Sequence, residues 1–237
     1  IAESISRYTR KIDHSRHMFL GILGHDLRNP IGAASMAAQL MVAKGTLDPK
    51  MIILAAQVIE STARASLIIT DLLDLARFGS KLSVVKEPMD MSVVAQQLVD
   101  EMGVFNNKRE IVLAHTGETQ GEWDRSRIGQ VFSNLIGNAL QYSLKDTPIS
   151  VVIKGEADEI IVSVHNEGPP IPADKVTKIF DAMTRGTEEG EEKIGSTNLG
   201  LGLYITKKIV VSHGGEIAVT SSEKGGTVFT VKFPRNY

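Results

Sequence analysis

Along the first part of the chain apolar residues recur at alternating steps of three and four, at Leu20, Leu23, Leu27, Ile31, Ala34, Ala38 and Met41. That spacing is the seam of a helix packed in coiled-coil fashion and predicts a helix over about 2–44. Gly45 after Lys44 suits a left-handed C-terminal cap, and Asp48-Pro49 supplies an N-cap and a first-turn proline for a second helix. The second helix is predicted to run to about Phe78, with Ile52, Ala56, Ile59, Ala63, Leu67, Thr70 and Leu73 down one side. The short loop makes the two helices antiparallel. A lone hairpin of this kind buries too little apolar surface, so a second copy is expected to complete a four-helix bundle.

After Gly79 the period shortens to two, as in Ile149-Ser150-Val151-Val152-Ile153 and Glu159-Ile160-Ile161-Val162-Ser163-Val164, and these runs read as strands. Helices are expected over 91–102, over 125–143 behind the N-cap Asp124, and over 202–213, where Gly214-Gly215 ends the last. A final strand pair spans 216–221 and 226–233. The expected fold class is therefore α+β: a dimeric four-helix bundle built from residues 1–80, then an α/β sandwich over 81–237 with helices on one face of its sheet. Gly79 and Ser80 are the hinge candidates between them.

Composition narrows the partners. With 26 basic against 28 acidic residues the chain carries no charge excess for a polyanion, so nucleic acid is not expected as a partner. The 42% hydrophobic content is ordinary for a folded soluble domain, and the absence of cysteine excludes disulfides and thiolate metal sites. That absence suits a reducing compartment, so a cytoplasmic location is expected for this portion, and no uninterrupted apolar stretch is long enough to cross a bilayer. The chain begins at Ile1 and not at methionine, so it is expected to be a fragment that lacks an upstream sensor domain.

With Leu20, Leu27, Ala34 and Met41 at heptad position a, His25 falls at f, farthest from the seam and open to reactants. Asp26 follows directly, Asn29 stands one turn on, and Pro30 removes a backbone hydrogen bond beside the histidine. An imidazole nitrogen can act as nucleophile there if a carboxylate holds the proton on the other nitrogen, which gives Asp26 its role. A histidine on a helix is by itself a solvated surface residue, and His14, His17, His115 and His213 are read so.

A second cluster lies near the middle of the chain. Asn134, Asn138 and Tyr142 form a row at steps of four beside the apolar face of Ile128, Val131, Phe132, Leu135 and Ala139. An amide oxygen is a hard ligand, and Asn138 is the candidate for Mg²⁺ carried by a triphosphate. The polar, glycine-bearing run from Asp181 to Leu199, with Arg185 and Lys193, reads as a lid. Gly200-Leu201-Gly202-Leu203 then opens a helix, where backbone N–H groups and the positive helix end suit phosphate.

Five segments together resemble the sensor histidine kinases of two-component systems, in that family's order, from about Phe19 to Pro234. His25-Asp26-Leu27-Arg28-Asn29-Pro30 resembles the phosphoacceptor box, and Gln130 to Ser143 resembles the N box. Asn166-Glu167-Gly168-Pro169-Pro170 stands where the family commonly has Asp-x-Gly-x-Gly. Lys178-Ile179-Phe180 resembles the F box, and Gly200-Leu201-Gly202-Leu203 the second glycine box.

The resemblance implies a histidine-phosphotransfer hairpin followed by a Bergerat-type ATP-binding domain. It implies ATP and Mg²⁺ as ligands, phosphorylation of His25 assisted by Asp26, and a homodimer that passes phosphate to an aspartate of a response-regulator receiver domain. Asn29 would position a water for dephosphorylating that regulator. Asn138 would hold Mg²⁺, Asn134 would lie near the phosphates and Tyr142 against the adenine or ribose, while Thr227 reads either as a contact to the base or, by preference, as an ordinary sheet threonine. Asn166 replaces the aspartate that accepts from the adenine amino group, though an amide carbonyl accepts the same bond. Pro170 replaces a glycine and stiffens the loop, and Gln141 replaces a basic residue and with it a phosphate contact. Two further readings are a regulator phosphatase with little kinase activity, resting on Asn29, and a signalling scaffold that no longer binds ATP.

Overall fold

A computed structural model describes residues 27–45, 48–77, 84–105, 109–182 and 200–235. His25, Asp26, Leu20, Leu23, the hinge pair Gly79-Ser80, and Arg185 and Lys193 of the lid lie outside the described residues. The chain forms two compact units, one helical and one of mixed sheet and helix.

The helical unit holds α1 (27–43) and α2 (Pro49–Arg77). The turn between them follows local chemistry. Gly45 adopts φ +65° and its N–H donates to the Val42 carbonyl at 3.1 Å, while Asp48 Oδ1 accepts from the Met51 N–H at 2.9 Å as the N-cap of α2. Arg28 Nη2 donates to Thr70 Oγ1 at 3.2 Å, tying the described start of α1 to the far end of α2 and fixing the antiparallel order.

The seam between the helices keeps Ile31, Ala38, Ile59, Thr70 and Leu73 of the expected one and departs from it elsewhere. Ala38, Ala55, Ile69 and Leu73 are buried, and Ile31, Ser35, Ile59, Thr62 and Ser66 are half-buried beside them. Leu27, Met41 and Ile52 of the expected seam are 48%, 50% and 44% exposed, and Ala34, Ala56 and Ala63 are exposed as well. Every residue of Met51-Ile52-Ile53-Leu54-Ala55-Ala56 is apolar, so a 3–4 spacing fits several stripes and cannot choose among them. The stripe that packs within the chain is Ala55, Ile59, Thr62, Ser66, Ile69 and Leu73. A second heptad stripe, Met51, Leu54, Val58, Ser61, Ala65, Ile68 and Leu72, runs beside it with its large residues at 51, 54, 58 and 72 exposed.

The same apolar density leaves in α2 a segment with the length of a membrane span, although Lys50, Glu60 and Arg64 interrupt its apolar run. Pro49–Thr70 has the length and the mean hydropathy, 1.5, to cross a bilayer, although within this unit one of its stripes is packed against α1.

The second unit is built on a five-stranded sheet in the order β2-β4-β5-β7-β6. Its strands are β2 (Ile111–Thr116), β4 (Ile149–Gly155), β5 (Glu159–Asn166), β6 (Glu216–Ser222) and β7 (Gly226–Pro234). β2 runs parallel to β4 and the other neighbours are antiparallel. A small separate sheet pairs β1 (Glu87–Asp90) with β3 (Gln120–Trp123). Helices α3 (Met91–Phe105), α4 (Arg125–Tyr142) and α6 (Gly202–Ser212) cover one face, and a short α5 (Ala173–Val176) follows β5.

Alternation explains why one face takes the helices. Ile149, Val151 and Ile153 of β4, Ile160, Val162 and Val164 of β5, and Val231 and Phe233 of β7 are fully buried, while their neighbours point the other way. Against them α4 places Ile128, Val131, Phe132, Leu135, Ile136 and Ala139, the apolar face expected from its spacing. Asp124 caps α4 as predicted, its carboxylate accepting from the Arg127 N–H at 3.1 Å. β1, β2, β3 and α5 were not predicted, because each is short and none carries a full alternating or helical pattern.

His213 corrects the surface reading given to it. It is only 2% exposed, at the C-terminal end of α6. Nδ1 lies 2.8 Å from the Ile209 carbonyl and the Asp124 N–H donates to Nε2 at 3.1 Å, so the ring is neutral with its proton on Nδ1. Burial pushes its pKa below the ordinary 6.5 and Lys86 adds to that, opposed by the Ile209 bond and the Asp124 carboxylate. Just beyond it Gly214, at φ +81°, and Gly215 end the helix, their N–H groups donating to Val211 and Val210.

Candidate nucleotide site

The site is assembled from the C-terminal part of α4, the loop after β5, the start of α6 and the β6–β7 pair. α4 sets out Asn134, Asn138 and Tyr142 along one edge of its buried face. Asn134 Nδ2 donates to the Gly202 carbonyl at 3.0 Å and lies 3.3 Å from Thr206 Oγ1, while the Thr206 hydroxyl itself donates to Gly202 at 2.8 Å. Asn134 is therefore joined to the first turn of α6 and so to the glycine segment. Asn138, one turn on, is half-buried, and its side-chain amide has no hydrogen-bond partner among the described residues.

At the start of α6, Gly200 takes φ +68° and Leu201 is buried, which anchors the turn from below. Leu201 provides no side-chain cap, so the N-terminal end of the helix carries its positive partial charge without a capping side chain of its own. An anion is the natural complement of that arrangement.

The loop after β5 is held against the end of α4. The Leu144 N–H donates to the Glu167 carbonyl at 2.8 Å, and a Cβ on Gly168 would stand 2.4 Å from the Tyr142 carbonyl oxygen, so only glycine fits there. Arg109 donates to the hydroxyl of Ser143 just past α4. The Tyr142 backbone is thus part of the wall, while its side chain is 46% exposed.

Asn166, the last residue of β5, is 4% exposed and sits opposite Thr227 on β7. Thr227 is buried too, and its hydroxyl lies 2.7 Å from Ser221 Oγ, which accepts from the Ile171 N–H at 2.9 Å. This chain pins the loop beyond Pro170 to the sheet. The Asn166 side-chain amide has no hydrogen-bond partner among the described residues. Farther along, Ile179 and Phe180 are buried, and Phe180 meets Phe229 edge-on at 6.3 Å between ring centroids.

The structure thus brings Asn134 to Gly202, and Asn166 to Gly168, Thr227 and the Tyr142 backbone. Asn29 is exposed on α1 in the other unit. Thr206 and Ser221 were missed by the sequence reading. The signal for Thr206 was present, a hydroxyl four residues after Gly202 on the side of the helix that carries Ile205, Ile209 and Val210, whereas Ser221 is recognisable only once the β6–β7 register places it opposite Thr227. A cavity of about 780 Å³ lined by Glu156, Asp158, Glu216 and Lys232 contains none of the predicted site residues.

Comparison with known proteins matches residues 15–81 to the family described as His Kinase A (phospho-acceptor) domain. Residues 123–237 match the family described as histidine kinase-, DNA gyrase B-, and HSP90-like ATPase. The chain belongs to the sensor histidine kinases. It is 30% identical to the sensor histidine kinase WalK of Bacillus subtilis, over 94% of this chain and 37% of WalK. It is 29% identical to a bacteriophytochrome of Pseudomonas aeruginosa, over 92% of this chain and 30% of that protein. The crystal structure of full-length ShkA in complex with AMPPNP has the same fold, with a TM-score of 0.69 at 21% identity, covering 93% of this chain and 46% of ShkA. The chain spans less than half the length of the curated relatives it matches. With the family established, the mixed sheet covered by helices is the Bergerat-type ATP-binding fold of these kinases, and the helical hairpin is their phospho-acceptor element.

Proposed function

We propose that this chain is the autokinase core of a two-component sensor, transferring the terminal phosphate of ATP to His25 and then to an aspartate of a response-regulator receiver domain. In this reading residues 1–80 form the dimerising phospho-acceptor hairpin and residues 81–237 the catalytic domain, joined by a hinge at Gly79-Ser80. The observation that carries it is the order of parts: a phospho-acceptor match containing His25 precedes an ATPase match containing Asn134, Asn138, Asn166 and the Gly200–Leu203 turn.

ATP would place its base at Asn166 beside Gly168 and its phosphates at the N-terminus of α6, where Gly200, Leu201, Gly202 and Leu203 supply backbone donors and Asn134 holds the turn in place. Tyr142 would lie alongside the adenine or ribose and Thr227 behind the base. Arg185 and Lys193 of the lid would add positive charge. Asn138 fits a Mg²⁺ delivered with the triphosphate: its amide oxygen is a hard ligand without a described partner, and no cluster of three or more His, Cys, Asp or Glu among the described residues would hold a resident ion. Bound there, the ion would offset phosphate charge.

His25 attacks the terminal phosphorus in line, forming an N–P bond as the bond to the bridging oxygen breaks and ADP leaves. Asp26 holds the proton of the other ring nitrogen and stabilises the positive charge that develops. Catalysis is then mostly positioning and charge stabilisation. Asn29, exposed on α1, supports a second activity on the same helix, the placement of a water that dephosphorylates the regulator. The exposed stripe of Met51, Leu54, Val58 and Leu72 supports a homodimer completing a four-helix bundle. A cytoplasmic position for this portion, with the sensor and any membrane anchor upstream, accords with its spanning less than half of its relatives.

Titration calorimetry of the whole chain with ATP and Mg²⁺ tests the nucleotide half of this proposal. Saturable one-site binding, weakened without Mg²⁺ and by Asn138→Ala, is expected; no heat of binding would leave a signalling scaffold instead of a kinase.

A further inference from the structure

Asn166 is the least expected residue of the site. The residue is 4% exposed, yet its amide atoms are not sealed from solvent, since the buried side-chain N and O atoms without a partner among the described residues are Arg109 Nε and Arg235 Nε. Here the amide is free among the described residues, and the groups around it have other commitments. Thr227, its partner across the β5–β7 ladder, shares a hydrogen bond with Ser221, and Ser221 also receives the Ile171 N–H. On the other side, Gly168 brings the backbone close, with the site its Cβ would occupy 3.3 Å from Asn166 Nδ2 and 2.4 Å from the Tyr142 carbonyl. Among the described residues nothing fixes which end of the amide is oxygen and which is nitrogen.

That freedom matters for the base. Adenine presents an amino donor beside a ring-nitrogen acceptor, and guanine presents a carbonyl acceptor beside a ring N–H donor. An amide carries one acceptor and one donor pair side by side, so it complements the adenine edge in one orientation and the guanine edge after a half-turn about its terminal bond. A carboxylate at the same position has acceptors only. It can take the adenine amino group; placed against the same position on guanine it meets the carbonyl oxygen with like partial charge, and it reaches the guanine ring N–H and 2-amino donors only if the base shifts along its edge.

We infer that the base subsite accepts adenine and guanine nucleotides alike, the Asn166 amide turning over to match either edge. This rests on the nucleotide reading of the site proposed above. It makes Asn166 a specificity-determining residue and GTP a second phosphate donor for the same chain.

The test is equilibrium titration of the whole chain with MgATP and MgGTP, for the natural chain and for Asn166→Asp and Asn166→Ala, with a thermal melt of each to confirm folding. The expected result is natural-chain affinities for the two nucleotides within roughly tenfold of each other. Asn166→Asp should move the ratio toward ATP by roughly tenfold or more, the scale of one well-placed base contact. Asn166→Ala should weaken both by similar factors. ATP binding with GTP more than about a hundredfold weaker in the natural chain, or an ATP-to-GTP ratio unmoved by Asn166→Asp, would overturn the inference while leaving ATP binding intact. Failure of both nucleotides to bind would remove the nucleotide reading and this inference with it.

Discussion

The side-chain amide of Asn134 donates to the carbonyl oxygen of Gly202 at 3.0 Å, so one side chain on α4 holds the first turn of α6 in place. Thr206, fully buried, completes the arrangement by donating to the same carbonyl. The turn that would receive phosphate is thereby positioned by a residue of the neighbouring helix.

Asn134→Ala deletes that tie and leaves the Gly202 carbonyl to Thr206 alone. A loss of about 1 kcal/mol of stability is expected, with a several-fold weaker apparent affinity for ATP. Gly202→Ala provides the contrast, because its Cβ would meet Asn134 at an ordinary 3.6 Å; its melting temperature is expected to stay near that of the natural chain. Urea denaturation and ATP titration of the two variants check both statements.

The buried His213 gives the catalytic unit a pH dependence with a definite sign. Its native pKa lies below the ordinary 6.5, mainly through burial. The unfolded chain therefore binds the proton first as pH falls. The contribution of neutral His213 is complete above about 6.5 and is lost as pH drops through that value toward the lowered native pKa. Protonation would also set an Nε2 proton against the Asp124 N–H. Melting temperatures measured between pH 8 and pH 5, ranges chosen to bracket roughly the histidine titration, should fall on the acid side, and the fall should be smaller in His213→Gln.

Gly121 is a second point of sensitivity. A Cβ there would stand 2.1 Å from the ring of Trp123, the chain's one tryptophan, which is fully buried with its indole N–H donating to the Pro234 carbonyl at 3.1 Å. Gly121→Ala forces the ring or the β1–β3 sheet to move, at an expected cost of about 1–3 kcal/mol. Indole fluorescence, shifting to longer wavelength as the ring meets water, reads the unfolding curve directly.

On the helical unit, Val58 is an exposed member of the second stripe of α2, on the face opposed to no helix of its own chain among the described residues. Val58→Glu places a charge in the proposed dimer interface, where an unpaired buried carboxylate is strongly disfavoured. Light scattering should show a dimer for the natural chain and a monomer for the variant, with the catalytic unit's melting unchanged.

The parts of this fold that were legible in the sequence are those set by local chemistry. Asp48 and Asp124 cap helices as their type and position demand, Gly45 and Gly214 take the positive φ that ends one, and the α4 core face follows from its spacing. The row Asn134, Asn138, Tyr142 was visible for the same reason. What was not legible depends on partners distant in sequence. β1 pairs with β3 across some thirty residues, and its Glu87-Pro88 start carries no strand pattern. His213 is held in place partly by the Asp124 N–H, 89 residues earlier, which no window around residue 213 reveals. The seam of α2 was partly misplaced because a helix apolar on two stripes offers the same spacing twice.

The central claim is transfer of phosphate from ATP to His25, and its most direct test is incubation of the whole chain with Mg²⁺ and ATP labelled on the terminal phosphate, alongside His25→Gln. Label that is lost in acid, retained in alkali and absent from His25→Gln is the predicted result. Label retained in acid, or present at equal level in His25→Gln, would contradict the assignment, as would no label in a chain shown to bind ATP.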